Sequence, residues 1–400
     1  MRIPRAHIVF CVQNMSVPRD PRVWREARTL AEAGHRVAVI CPAEEGLPAN
    51  EVREGVEIHR FARAPVLPGP LGLGLETLNA LVRMTALALR RHLRQRIDVL
   101  HVANPPDTMF LVAWPLRPFG TRLVFDQHDL CPEFAEVKWG RGRLLGGLMR
   151  CLEWASYRSA DLVIVTNESY RAVAMDRGGV EPARVLVVRN GPDQARRTAS
   201  PRAERPLLVA YAGVIGSHDG LGTLLEAAAL VSRRRPGSIR LDLIGAGEDV
   251  DRLRGLAATL GIASCVNWAG WLTGDAYSRR LHAAHVAVSP DPDDALSRRS
   301  TMIKVTEYMA GAMPAVVADL PENRVSAGDA ALYFKPGDAA ELARRLEELI
   351  ETPQLLEELA QRARKRGPAL LWANSAVRLV AAYGHLLAGG PPVVGEQVVT

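Results

Sequence analysis

The chain has 400 residues, 48% of them apolar, which excludes global disorder and allows two or three domains. Its formal charge of +6 is a modest, arginine-rich excess suited to anionic small molecules or a membrane surface. It carries no zinc-finger or RNA-binding aromatic signature, so nucleic acid is not expected as a partner.

The first fifteen residues, MRIPRAHIVFCVQNM, hold too short an apolar core for a signal peptide, and no run of 18 apolar residues occurs. HIVFCV at 7–12 reads as a buried parallel strand. A helix at 21–33, PRVWREARTLAEA, follows it, with Asp20 as N-cap and Pro21 as first helical residue. Gly34 stops that helix and RVAVICP is the next strand, which closes a βαβ unit. EGVEIHRF, IDVLHVA, RLVFDQHD, DLVIVTN and RVLVVRNGPD are further strands, and TMFLVAWPL is a helix or an apolar segment. Between them lies a long basic helix at 75–96. Leu78, Leu81, Val82, Leu87 and Leu89 would cover the sheet, and Arg90, Arg91, His92, Arg94 and Arg96 suit the helix C-terminus or, alternatively, anionic lipid. Five cysteines (Cys11, Cys41, Cys131, Cys151 and Cys265) form no CxxC pair and read as reduced, buried or semi-buried thiols of a cytosolic protein.

ASPRAER at 199–205 reads as a linker, and a second strand–helix series follows it. Two α/β domains are therefore expected, at 1–199 and 200–371, each a Rossmann-like doubly wound sheet, facing each other across a deep cleft that holds the ligand. The tail at 389–400 reads as disordered.

Candidate chemistry sits where strands end. VAYAGVIGSHDG places Gly213, Gly216 and Gly220 between a strand and a helix, and LIGAGED adds Gly245 and Gly247. Each alone is as consistent with a plain turn; together with the helix start at Ser300 and Thr301 they describe amide donors suited to a nucleotide diphosphate. In LSRRSTMIKVTEYMAGAMPAVVADLPE (296–322), a basic loop leads into a helix at 302–310, stopped by Gly311, and a strand at 314–318. Glu307 shares a helix face with Lys304, either as a surface ion pair or as an acceptor for a ribose diol. In the first half, FDQHDLCPE brings His128, Asp129 and Glu133 to a strand end.

These segments resemble the two-domain glycosyltransferases of family 4, whose fold is of the glycogen-synthase-like GT-B type. RDPRVWREARTLAEAGHRVAVI, FDQHD, ADLVIVTNES, VVRNGPD, AGVIGSHDG, LIGAGE and KVTEYMAGAMPAVVADLPE carry the resemblance in order over essentially the whole chain. It implies that a helix at 372–388 packs back on the first domain. It implies sugar transfer from a UDP- or GDP-linked donor, with retention, to a carbohydrate or lipid-linked acceptor in cell-surface polysaccharide or glycolipid synthesis. Neither metal nor cofactor is needed in such a fold. His128 would contact the donor sugar and Glu307 the ribose. The location implied is cytoplasmic, with a peripheral contact to anionic membrane at its inner face. The chain also departs from the family pattern. Arg299 stands where the first of two glutamates eight apart is usual, and Val214 and Asp219 stand where an arginine and a lysine usually hold the diphosphate. We therefore expect a relocated diphosphate clamp of Arg299 and Lys304, with Arg298 beside them, around the helix start at Ser300, Thr301 and Met302. Two alternatives are a nucleotide-sugar epimerase of the same fold and a degenerate transferase acting as partner of an active one.

Overall fold

A computed structural model describes residues 5–64, 69–140, 142–195 and 206–390. They divide into two compact units, one of residues up to Arg189 joined by Ser375 onward, the other Asn190–Asn374. The division thus falls ahead of the polar stretch at 199–205; residues 196–205, and the tail beyond 390, lie outside the described residues.

The first unit is built on a sheet of eight described strands, in spatial order β3-β4-β2-β1-β5-β6-β7-β8. In chain order these are β1 (His7–Cys11), β2 (Arg36–Pro42), β3 (Asn50–Arg53), β4 (Val56–Phe61), β5 (Val99–Ala103), β6 (Arg122–Gln127), β7 (Leu162–Val165) and β8 (Val185–Val187). All neighbours pair parallel except β3 with β4, a hairpin that turns through Glu54 and Gly55, both at positive φ. β1, β5 and β7 are buried along their whole length, as strands covered by helices on both faces must be. Each fully buried valine, leucine or isoleucine there contributes about 1.5–3 kcal/mol.

The second unit holds six described strands, all parallel, in order β11-β10-β9-β12-β13-β14. They are β9 (Leu207–Ala212), β10 (Ile239–Ile244), β11 (Val266–Gly270), β12 (Val286–Ser289), β13 (Ala315–Ala318) and β14 (Ala331–Phe334). In a doubly wound sheet the ligand crevice lies beyond the carboxyl ends of the two central strands where the winding reverses. That point is β1/β5 in the first unit and β9/β12 in the second. The β9/β12 ladder covers only Val209–Ala210 and Val286–Ala287. Beyond it the Tyr308 hydroxyl bridges the strands, accepting from Ala212 N (3.2 Å) and donating to Val288 O (3.2 Å).

Some elements differ from expectation. The basic helix runs Gly69–Arg94 and turns Ala80, Met84 and Ala88 inward, leaving Leu78 and Val82 on the surface. A 3.6-residue period puts these three, spaced four apart, on one buried face of the helix. TMFLVAWPL folds as two short 3-10 turns. A short helix, Pro321–Ala327, follows β13 where no element was expected. Cys151 is exposed, not buried, because its helix, Arg143–Ser159, keeps that face outward. No helix of the described residues is long and apolar enough to cross a membrane. The last helix, Trp372–Ala388, buries Leu379 and Tyr383 in the first unit.

Candidate functional site

In the first unit, a buried charged cluster sits at the β1/β5 switch point. Asp20 caps the helix Pro21–Glu32, accepting from the N–H of Arg22 (3.1 Å) and Val23 (3.0 Å). This fixes Arg22 in the first turn and Glu26 one turn on, on the same face. The Arg22 guanidinium grips Asp126, at the end of β6, through Nε (3.0 Å) and Nη2 (2.7 Å), and donates to Val188 O (2.7 Å). Its Nη2 also lies 3.2 Å from Glu26 Oε1. Such a bidentate, fully desolvated pair holds only where every charge is met.

His128 Nε2 hydrogen-bonds Asp126 Oδ2. Burial alone would lower the His128 pKa; the Asp126 charge outweighs it and raises the value. Burial would raise the Asp126 carboxyl, but Arg22 and His128 hold it well below the usual carboxylate range. Glu26 is pushed the other way, by burial and then by Asp126. The backbone at His128 is also held: Asn104 Oδ1 accepts from the N–H of His128 (2.6 Å) and of Asp129 (3.1 Å). Asn104 Nδ2 in turn donates to Asp107 Oδ1 and to Asp129 O, both at 2.8 Å. Burial lifts the Asp107 pKa to about 7.

Behind Asp126, His101 on β5 places Nε2 3.3 Å from Glu26 Oε2, and its Nδ1 meets the Tyr383 hydroxyl at 2.6 Å. Glu26, His101 and Asp126 have a donor set that could ligate a metal. The Arg22 guanidinium already lies against both carboxylates, so the positive charge such a set would attract is supplied by the chain.

In the second unit the β9/β12 switch point is organised by Lys304. The helix runs Ile303–Ala310, one residue later than its expected start at Met302, and Gly311 caps it. Lys304 Nζ donates to Asp291 Oδ1 (2.7 Å), lies 3.7 Å from Asp219 Oδ1, and sits 5.0 Å from the centre of the Tyr211 ring. Burial would lower the lysine pKa; Asp291 and Asp219 outweigh it, so the group stays an ammonium. The side chain thus turns to the glycine loop and its acids. Glu307, on the same helix, accepts from the Tyr277 hydroxyl (2.5 Å).

The glycines serve one another more than an open surface. A Cβ on Gly245 would stand 1.8 Å from Gly213 O, and one on Gly247 would stand 2.2 Å from Ile215 O, so only glycine lets the two loops touch. The N–H groups of Gly213, Gly245 and Gly216 are taken by Ile244 O (3.0 Å), Gly270 O (2.9 Å) and Asp219 Oδ2 (2.9 Å). Three of the expected glycine amide donors, those of Gly213, Gly216 and Gly245, are therefore engaged within the unit. The first N–H groups of the helix, at Ile303 and Lys304, are the donors with no intrahelical acceptor. Ser300 N is bonded to Leu296 O (3.0 Å), and the Thr301 hydroxyl donates to the buried Glu322 (3.2 Å). Arg299 reaches Ala295 O (3.1 Å), and Arg298 forms a surface pair with Asp293.

The structure thus brings Lys304 to Gly213 and sets Glu307 on the same helix, while Arg299 contacts its own loop. Sequence reading missed Asp126, Glu26, His101, Asn104, Asp291 and Tyr277. The i,i+4 spacing of Arg22 and Glu26, and an acid at the end of an apolar strand, were the available signals for two of them.

Comparison with known proteins gives these sites a family. Residues 20–191 match the model of the glycosyl transferase 4-like domain, and residues 193–366 that of glycosyl transferases group 1. The lipopolysaccharide core biosynthesis glycosyltransferase LpsE of Rhizobium meliloti is 27% identical over 302 residues, 74% of this chain and 80% of that one. Among solved structures, sucrose-phosphate synthase from Thermosynechococcus elongatus superposes with a TM-score of 0.79 at 20% identity, covering 96% of this chain and 100% of that one. HepE of Anabaena, solved in complex with UDP-glucose, gives a TM-score of 0.68 at 16% identity, covering 93% and 98%. The chain, with its two parallel-sheet α/β units and a family model matched to each half, belongs to the family 4-like glycosyltransferases and is an enzyme of glycosyl transfer.

Proposed function

We propose that the enzyme moves a sugar from a UDP- or GDP-linked donor to a cell-surface polysaccharide or glycolipid acceptor, with retention at the anomeric carbon. The observation that carries this is Lys304: a nearly buried ammonium at the β9/β12 switch point, beside the donor N–H groups of its own helix N-terminus. Charge grows on the leaving diphosphate as the glycosidic bond breaks, and an ammonium with oriented amides offsets it without reorganisation. Arg299, with the backbone at Ser300, Thr301 and Met302, flanks that position in the chain. Glu307, oriented by Tyr277, accepts the ribose diol. The imidazole of His128, raised in pKa by Asp126, donates from Nδ1 to a hydroxyl of the reacting sugar. Retention at the anomeric carbon is what the resemblance to the family 4 enzymes implies.

UDP-glucose in HepE and the lipopolysaccharide core biosynthesis in the name of LpsE support the donor and acceptor classes. A peripheral contact with anionic membrane is supported by the helix Gly69–Arg94. Leu75, Leu78, Val82 and Leu93 form an exposed apolar stripe there, and Arg83, Arg90 and Arg94 lie beside it. Incubation with labelled UDP- and GDP-sugars tests the function. Nucleotide release that requires an acceptor fits transfer. An epimer formed without acceptor, or no turnover with any donor and acceptor, would overturn it.

A further inference from the structure

The Lys304 site already holds an anion, and it is part of the chain. That anion is Asp219, in the turn between β9 and the helix Leu221–Arg234. Its two carboxylate oxygens face two different donors: Oδ2 accepts from Gly216 N–H at 2.9 Å, and Oδ1 lies 3.7 Å from Lys304 Nζ. A loop amide and a lysine ammonium are the donors that hold a phosphate oxygen at a strand-to-helix turn. Asp219 is the looser of the two acids on Lys304. Its side chain is 25% exposed, against 3% for Asp291, which is 2.7 Å from the ammonium and also bonded to Ser289. One acid is a fixed counter-ion and the other can leave.

We propose that Asp219 is a built-in stand-in for the donor diphosphate, seated on Gly216 and Lys304 in the empty enzyme and displaced by the phosphates when donor binds. This rests on the reading of Lys304 as the diphosphate ligand. It explains how a buried lysine that already faces two carboxylates can take a further anion. The buried ammonium never lacks a partner, and displacement frees one N–H and one cation together. It also makes Asp219 a determinant of affinity. Each donor molecule competes with a tethered carboxylate, so binding is weaker, and product nucleotide leaves faster, than the same site would give without it. A purely local role, in which the carboxylate only closes the turn from Gly216 to Asp219, would leave affinity unaffected by its charge.

Asp219→Asn separates the two. Asparagine keeps an oxygen to accept from Gly216 N–H, so the turn is preserved while the charge is removed. Calorimetric titration of the full chain with UDP and GDP, alongside uridine and guanosine, is the measurement. The expected result is a tenfold or greater tightening for whichever diphosphate the wild type binds, with the bare nucleoside unchanged and with an unaltered far-UV spectrum. Equal or weaker diphosphate binding by Asp219→Asn, while Lys304→Met weakens it tenfold or more, would overturn the stand-in and leave the Lys304 reading intact. Unchanged binding in both variants would remove the Lys304 reading and the stand-in with it.

Discussion

Arg22→Leu probes the cluster that holds His128. The change removes the guanidinium that makes two bonds to Asp126 and one to Val188 O, all of them buried. Two charge-assisted bonds at about 1.5–3 kcal/mol each, plus a carbonyl bond of about 1 kcal/mol, bound the loss at roughly 4–7 kcal/mol. Breaking one side of a buried pair is measured at about 3–5 kcal/mol, the safer figure because leucine restores apolar packing. The sign with pH is fixed. Asp126 has a depressed pKa in the folded wild type, so its contribution is present above the unfolded value and fades as pH falls through the folded one. Without Arg22 the carboxyl is buried with fewer partners and titrates upward, so its penalty applies above about pH 4, where the unfolded chain is ionised. Urea unfolding of both proteins, followed by tryptophan fluorescence, should give a difference that grows from pH 4 to pH 7. Adding Asp126→Leu to Arg22→Leu should recover part of the loss, since both charges are then gone. A difference below about 1 kcal/mol, flat with pH, or strict additivity in the double variant, would refute this view of the cluster.

His128→Ala should lower turnover by roughly 2–4 kcal/mol of transition-state stabilisation, more than it lowers stability, measured as kcat/KM against the urea midpoint. Because Asp126 raises the His128 pKa, the activity should fall on its alkaline side above pH 6.5, and Asp126→Asn should move that fall to lower pH in a pH–rate profile. Asp107 keeps its proton up to about pH 7 in the fold while the unfolded chain releases it near pH 4, so stability declines as pH rises through that window. Asp107→Asn should flatten the decline and add on the order of 2–4 kcal/mol at pH 8 and almost nothing at pH 4, by urea unfolding at each pH.

The alternation of β-branched runs and capped helices was enough to place both sheets except the exposed, antiparallel edge strand β3, because burial on two faces leaves little choice of residue and β3 lacks it. The helix Pro21–Glu32 was legible through its Asp20–Pro21 start. The short helix Pro321–Ala327 was not, since seven residues carry no full apolar period. Glu307 and Lys304 were legible as neighbours on one helix, but their partners were not. Asp291 and Tyr277 come from elsewhere in the chain and meet that helix only after the sheet is wound. The glycine loops were read as open to phosphate, whereas Gly245 and Gly247 are required by contact between two loops, which no local pattern displays. The paired residues Arg22 and Asp126 lie 104 positions apart, beyond the reach of spacing arguments.

Binding of UDP and GDP by the full-length protein, compared with Lys304→Met and Arg299→Ala by titration calorimetry, tests most directly whether the β9/β12 switch point is the donor diphosphate site. Lys304→Met should weaken diphosphate binding tenfold or more, about 1.5–3 kcal/mol, with uridine or guanosine binding unchanged. Arg299→Ala should weaken it in the same sense if its guanidinium joins the clamp. A Lys304→Met protein that is folded and binds the diphosphate as tightly as wild type would contradict the placement of the donor.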